Sequence, residues 1–258
     1  MNTISMKGSV PFSIFNLVES RVENDHTRSL VFDAPLPGAQ PGQFVMAWLP
    51  GVGEKPYSVT DDAPFSLLVT EVGPFSAALC ALQPGARLWV RGPLGNGFQL
   101  VGQRCLLAGG GCGAAPLLFL AKRARAADMQ VEVCLGVRGA QDMLLENAFI
   151  SSGCTLTLAS EDGSRGVKGD VVHALAQRLQ FFQPETLYAC GPMPMLMALV
   201  DFCREQHMPA QFSWEALMRC GIGLCGACEM DEETCRKAGL PPGWLTCKDG
   251  PVSMHPLT

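Results

Sequence analysis

A multidomain chain of three parts is what this sequence predicts. An antiparallel β-barrel is expected over residues 1–101, an α/β unit with a parallel sheet over 102–213, and a small cysteine-bearing segment over 214–258. Three observations predict it. Short alternating apolar runs broken by Gly and Pro fill the first part. Strand-like and helix-like runs alternate through the second. In the third the periodicity fades, and CGIGLCGAC at 220–228 crowds three cysteines between glycines.

In the first part, VPFSIFNLV, SLVFD, QFVMAWLP, YSVT, FSLLVTEV and ARLWVRG each suit a strand, separated by turn signals such as PLPGAQPGQ and LQPGA. Several short strands at this spacing fit a small closed barrel. In the second, RCLLAG reads as a strand ending in glycines and AAPLLFLAKRARAA as a helix. QVEVCLGV, CTLTLAS and ETLYACG follow as strands, with AQDMLLENAF, GDVVHALAQRL and PMLMALVDFCREQ as helices and PAQFSWE as a last strand. Such alternation implies right-handed crossovers and a sheet that binds ligands at the carboxyl ends of its strands. The segment from Trp214 is too short and loop-rich to fold on burial alone, so a metal centre or a docking surface is expected to stabilise it.

Composition narrows the function. The 258 residues are 48% apolar and 17% charged, which supports a real core and argues against disorder. The net charge is -5 with no long basic run, so no nucleic-acid partner is expected, because phosphate binding needs clustered Lys and Arg. The N-terminal MNTISMKGSVPFSIF lacks an unbroken apolar core of signal-peptide length. The longest uncharged stretch, LLAGGGCGAAPLLFLA, is glycine-rich and shorter than the roughly 18 residues of a spanning helix, so no membrane span is expected. Twelve cysteines then read as thiols in a reducing, cytoplasmic setting. Cys105, Cys134 and Cys154 sit in apolar runs as small hydrophobes, whereas the close cluster points to metal or redox chemistry.

The motifs carry the chemistry. In KPYSVT, Lys55 suits a phosphate, Tyr57 a flat ring and Ser58 a ring nitrogen, around Pro56. Strand alternation would point Lys55 and Tyr57 together and Ser58 away. In LLAGGGCGAAP, Gly109, Gly110, Gly111 and Gly113 let backbone approach a ligand, and the helix start behind them favours a pyrophosphate. The spacing is not G-x-G-x-x-G, so this is not the ordinary dinucleotide fingerprint. YACGPMPML places Cys190, Gly191 and Pro192 at the same sheet edge, with proline well tolerated in a helix's first turn. The polar loop SEDGSRG offers Glu161 and Asp162 to ribose hydroxyls. Cys220, Cys225 and Cys228 give C-x4-C-x2-C with a distant fourth cysteine, the spacing of plant-type [2Fe–2S] sites. Structural zinc is the rival, but it normally pairs two short knuckles and the second is missing here. For the fourth ligand Cys247, before a DGP turn, is favoured over Cys235, which sits in the charged, helix-like DEETCRKA.

Taken in order, the K-P-Y-S stretch, GPLGNGF at 92–98, LLAGGGCGAAP, CGPMPML and C-x4-C-x2-C with LTCKDGPV resemble one family along the whole chain. It is the electron-transfer subunit of type B dihydroorotate dehydrogenase, within the ferredoxin–NADP reductase-like superfamily. The resemblance implies FAD in the barrel, held by Lys55, Pro56, Tyr57 and Ser58, by Leu68, Val69 and Thr70, and by Gly73 to Ser76 including Phe75. It implies NAD(H) on the glycine turn and Cys190-Gly191-Pro192. It implies a [2Fe–2S] cluster that relays electrons to or from FMN in a separate catalytic subunit, with no acid–base residue required of this chain and a heterotetramer as the assembly. Similar subunits occur in ferredoxin-linked bifurcating enzymes and some hydrogenases, and a zinc-bearing interaction module is a third alternative. Two departures stand out: Lys55 replaces the family's arginine, and Gly73-Pro74-Phe75-Ser76 replaces a G-x-G-T turn, which is expected to remove flexibility and one N–H.

Overall fold

A computed structural model describes residues 11–255. Six antiparallel strands close a barrel: β1 (Ser13–Asn24), β2 (Thr27–Phe32), β3 (Phe44–Leu49), β4 (Gly53–Asp62), β5 (Phe65–Thr70) and β6 (Arg87–Leu94), in the order β1-β2-β5-β4-β3-β6. Alternation sends Val45 and Ala47, Leu67 and Val69, and Leu88 and Val90 inward, around a stack of Phe32 on Phe65 with centroids 5.0 Å apart. The neighbouring positions of β3, Phe44 and Met46, point the other way and are equally buried, under the C-terminal segment. That explains why QFVMAWLP reads as an unbroken apolar run.

A short helix, α1 (Pro74–Cys80), closes the barrel where the sequence suggested only a turn. Pro74 opens it in the first turn, where the missing N–H loses no bond. The Ser76 hydroxyl accepts from the Val72 and Gly73 N–H groups at 2.8 and 3.0 Å. The expected loss of flexibility at Pro74-Phe75 is therefore the start of a helix, with Phe75 and Leu79 packed into the barrel core.

The second sheet has seven strands in the order β10-β9-β8-β7-β11-β12-β13. They are β7 (Arg104–Gly110), β8 (Gln130–Val137), β9 (Thr155–Ser160), β10 (Val167–Lys168), β11 (Thr186–Cys190), β12 (Ala210–Ser213) and β13 (Val252–His255). All pairings are parallel except β12 with β13. One face packs on α2 (Ala114–Ala126) and α3 (Glu146–Ser151). The other packs on α4 (Val171–Arg178), α5 (Met193–Glu205) and α6 (Glu232–Ala238). The single helix expected over AQDMLLENAF is broken. A 3-10 turn covers Ala140–Asp142, Leu145 is left-handed at φ 59°, and α3 starts only at Glu146. Leu144 and Leu145, at the break, are both buried in the core under α2. No helix among the described residues is long and apolar enough to cross a membrane.

The C-terminal segment has more regular structure than its sequence texture implied. Cys235 lies in α6, as the helix-like DEETCRKA suggested. β13 then returns to pair with β12, and the Trp214 indole donates to the buried Ser253 hydroxyl at 2.7 Å. The GPLGNGF stretch is where this segment docks: Asn96 donates through its side chain to the Asp249 carbonyl (2.8 Å) and through its backbone to Gly250 (2.6 Å). A Cβ at Gly95 would strike Pro251.

The barrel and sheet are joined by packing and by a strap, residues 95–103 between β6 and β7. Phe119 of α2 is buried against the barrel core, and Lys122 and Arg123 pair with Asp61 and Asp62 of β4. On the strap the Tyr188 hydroxyl, fully buried in β11, donates to the Gln99 carbonyl and accepts from the Val101 N–H, both at 2.9 Å. Gln211 closes on Gln99 from the next strand. Tyr188→Phe leaves the Val101 donor without its hydroxyl partner, so a loss of about 1–3 kcal/mol is expected. Urea unfolding monitored by far-UV circular dichroism reads it; an unchanged midpoint would show that the strap does not hold the two units.

Candidate functional site

A cavity of about 560 Å³ opens between the barrel and the other two parts, within the size range of cofactor pockets. Lys55, Pro56, Tyr57 and Ser58 of β4 line it together with Leu68 and Thr70 of β5 and Gly73, Phe75 and Ser76 of α1. Alternation holds in the register, with Tyr57 opposite the inward Val45 and Ser58 opposite the outward Phe44, yet all four residues line the cavity. β4 pairs with β5 only from Val59 onward, so residues 55–58 are bonded to β3 alone and their free edge forms part of the wall. Val69 is the exception among the expected residues: its side chain is in the barrel core, away from the cavity. Tyr57 and Phe75 lie near-parallel, 6.3 Å between centroids and 29° between planes, as an aromatic wall. Burial drives the Tyr57 phenol well above its ordinary range, so its proton stays on. Lys55 is the only charged residue among the described residues lining this cavity. The Ser76 hydroxyl is committed to the α1 cap, where it also donates to the Gly73 carbonyl.

The two glycine turns stand next to each other at the strand-order reversal between β7 and β11, where open α/β sheets bind their ligands. Their fit is tight. A Cβ at Gly113 would run into the Cys190 carbonyl, and one at Gly110 would come within 3.0 Å of Pro192. The Cys190 thiol is buried and pushed up to about 12 by desolvation, and it is the Cys190 carbonyl and the Pro192 ring that meet the glycine turn. Gly109, Gly110, Gly111, Gly113 and Cys190-Gly191-Pro192 do not line the 560 Å³ cavity. The link is Cys112, which the sequence reading passed over between its glycines. It lines the cavity, and its sulfur lies 3.0 Å from the Thr70 hydroxyl. Its chemistry was visible as the one thiol inside the glycine turn. Pro74, inside the expected Gly73 to Ser76 stretch, and Val72, Ala115, Ala216, Leu217 and Met218 complete the wall; no motif marks the last three, which come from the returning C-terminal segment.

That segment also carries the thiols. Cys228 and Cys247 are buried with their sulfurs 3.2 Å apart, packed with Phe44, Met46, Leu94 and Met218. Cys220 lies at the edge of the same cluster and its sulfur meets the Cys225 thiol. The four therefore form two pairs, a donor set suited to a centre with two irons. Among the described residues no three His, Cys, Asp or Glu side chains converge on a point as a single ion needs. Cys235 is elsewhere, in the core beneath α6, donating to the Met230 carbonyl. Gly221, Gly223 and Gly226 all have positive φ, near 70°, and turn backbone N–H groups inward. Leu224 donates to the Cys220 sulfur at 3.3 Å and Gly223 to the Cys247 sulfur at 3.1 Å. Burial raises the Cys220 thiol, but the N–H groups of Ile222, Cys225 and Leu224 outweigh it and lower it to about 6. Burial and the Cys228 thiol push Cys247 up to about 12. Of these two thiols, Cys220 is thus the readier to ionise and Cys247 the less ready. One ranking follows from the turn geometry. Gly111→Ala meets no neighbour and carries only a left-handed penalty of about 1–2 kcal/mol. Gly113→Ala must move backbone and is expected to lower the melting temperature more; the reverse order would mean that the two turns do not pack as described.

Known proteins place this architecture. The model of the iron-sulfur cluster binding domain of dihydroorotate dehydrogenase B matches residues 215–254. The chain is 40% identical over 213 residues, 82% of its length and 83% of the relative's, to the probable dihydroorotate dehydrogenase B (NAD(+)), electron transfer subunit of Thermococcus kodakarensis. It is 37% identical over 92% of its length, and 87% of the relative's, to the protein of the same description in Methanopyrus kandleri. Among solved structures, a chain of the NADH-dependent reduced ferredoxin-NADP oxidoreductase, studied for flavin-based electron bifurcation, superposes with a TM-score of 0.82 at 27% identity, covering 97% of this chain and 90% of that one. The ferredoxin reductase of carbazole 1,9a-dioxygenase shares the fold, with a TM-score of 0.65 at 24% identity over 80% of this chain and 70% of that one. A barrel, a switch-point sheet and a paired-thiol loop, with relatives this similar over more than four-fifths of the sequence, make the chain a member of the family of dihydroorotate dehydrogenase B electron transfer subunits.

Proposed function

We propose that this chain links NAD(H) to a separate FMN-containing subunit that oxidises dihydroorotate in pyrimidine biosynthesis, in the reducing cytosol. The observation that carries the reading is the position of Met218: it lines the 560 Å³ cavity and is buried in the same cluster as Cys228 and Cys247. When bound, FAD and a [2Fe–2S] cluster would join the two-electron chemistry of nicotinamide to one-electron transfer. The chain's own residues supply the holding and the shielding. Lys55 offers the cavity's cation to a phosphate, Tyr57 and Phe75 offer a flat apolar wall, and Ser58 and Thr70 offer hydroxyls. Val69 contributes through its backbone alone. Gly109, Gly110, Gly111 and Gly113, with Cys190, Gly191 and Pro192, form the cradle for NAD at the sheet edge, where the missing side chain of Gly113 lets the two turns pack together. Asp162 and Glu161 beyond β9 favour the ribose hydroxyls of NAD over an added phosphate. Cys220, Cys225, Cys228 and Cys247 hold the cluster, and the N–H groups around Cys220 stabilise its thiolate.

A second reading keeps this chemistry and changes the partner to a ferredoxin-linked bifurcating enzyme. The likeness to the NADH-dependent reduced ferredoxin-NADP oxidoreductase over nearly the whole chain favours it; the higher identity to the dihydroorotate dehydrogenase B subunits favours the first. Mixing the purified chain with the FMN-containing dihydroorotate dehydrogenase subunit of the same cell decides between them. NADH formation from dihydroorotate that requires both proteins supports the first reading. No complex and no NADH contradicts it. Within the cavity, Lys55→Ala removes the lining cation, whereas Tyr57→Phe keeps the aromatic face and loses only a hydroxyl. The alanine variant is expected to retain less FAD per protein after gel filtration, and equal flavin content in both would contradict the role given to Lys55.

A further inference from the structure

We propose that Arg91 is a positioning residue for the metal centre and that its charge sets the centre's reduction potential; this rests on the cysteine loop holding the cluster assigned above. Arg91 belongs to β6 of the barrel, and its side chain is only 15% exposed. Its Nη2 donates to the Cys220 carbonyl at 3.0 Å, reaching from the barrel to the first cysteine of the loop. Its Nε donates to Glu54 Oε1 of β4 at 2.8 Å, and its guanidinium lies 5.8 Å from the centroid of the Phe12 ring. Three partners on three sides therefore fix the planar fork in one orientation. The next residue, Gly221, also lies against the barrel, where a Cβ would stand 2.8 Å from Met46.

The consequence is electrostatic. Reducing a four-thiolate centre adds a negative charge, and cluster potentials respond to net charge, hydrogen bonds and exposure. A cation held beside Cys220, largely out of water, favours the reduced state. Glu54, a quarter exposed, offsets part of that effect from the other side of the guanidinium. The stem of Lys248 packs against Gly223 of the same loop and brings a second cation to it. The pair Arg91–Glu54 thus acts through the Cys220 carbonyl, without being a ligand.

The test uses anaerobically purified protein carrying flavin and cluster, titrated potentiometrically with dithionite while the reduced cluster is read by electron paramagnetic resonance. Arg91→Gln is expected to move the cluster's midpoint to more negative potential, Arg91→Lys to restore most of the wild-type value, and Glu54→Gln to move it to more positive potential. Arg91→Gln with full iron and acid-labile sulfide and an unmoved midpoint overturns the proposal. So does Arg91→Lys shifted as far as Arg91→Gln, because that would make the fork's shape, and not its charge, the cause. Where Arg91→Gln fails to load the cluster, Glu54→Gln decides alone: a positive shift supports the role, and no shift or a negative one overturns it. Wild-type protein devoid of labile sulfide would instead sink the assignment of the loop itself.

Discussion

The whole arrangement depends on β3 being covered on both faces. Val45 and Ala47 fill the barrel, and Phe44 and Met46, on the opposite side, are buried because Met218, Cys228 and Cys247 lie on them. Large apolar side chains gain on the order of 1.5–3 kcal/mol each from such burial, so the cysteine loop is bound to the barrel by the same kind of force that closes the barrel itself. The loop is thereby brought to the wall of the cavity. Without that contact a segment of some forty residues, with one short helix and one four-residue strand, would have little to fold on.

Placement by packing leaves the loop's backbone free for electrostatics. Three glycines with positive φ aim N–H groups at sulfur, and two of those bonds are seen on Cys220 and Cys247. The thiols are unequal as a result: Cys220 is lowered to about 6, mainly because N–H donation overcomes its burial, and Cys247 is raised to about 12 by burial beside Cys228. The cavity on the other side of Met218 has a different character. It is largely apolar, walled by Tyr57 and Phe75, with a single lining cation. Met218, a flexible, polarisable side chain, belongs both to the cavity wall and to the cluster around Cys228 and Cys247.

Much of this was legible in the residues, and the parts that were not have physical reasons. The six barrel strands and the alternation after Arg104 follow apolar periodicity, and the folded elements fall where those runs lie. The paired placement of Cys228 with Cys247, and the removal of Cys235 to another core, agree with reading the DGP turn against a charged helix. What was hidden is what depends on chain return. Ala216, Leu217 and Met218 carry no local motif and line the cavity only because β13 ties the segment's end to β12. α1 escaped because Pro74 reads as a turn, although proline is equally at home in a helix's first turn. That both faces of residues 55–58 reach the cavity was hidden, because it depends on β4 being unpaired with β5 before Val59. Cys112 escaped because attention to glycines passed over the thiol among them.

The central claim is that four thiols, drawn from a loop and from Cys247 beyond α6, hold a two-iron centre against the cavity. It is tested most directly by purifying the wild type, Cys247→Ser and Cys235→Ser without oxygen and measuring iron, acid-labile sulfide and the resonance of the reduced cluster. The account requires near-equal iron and sulfide in the wild type and in Cys235→Ser, and their loss in Cys247→Ser. A wild type without labile sulfide, or a Cys247→Ser protein with the wild-type content and signal, would contradict it.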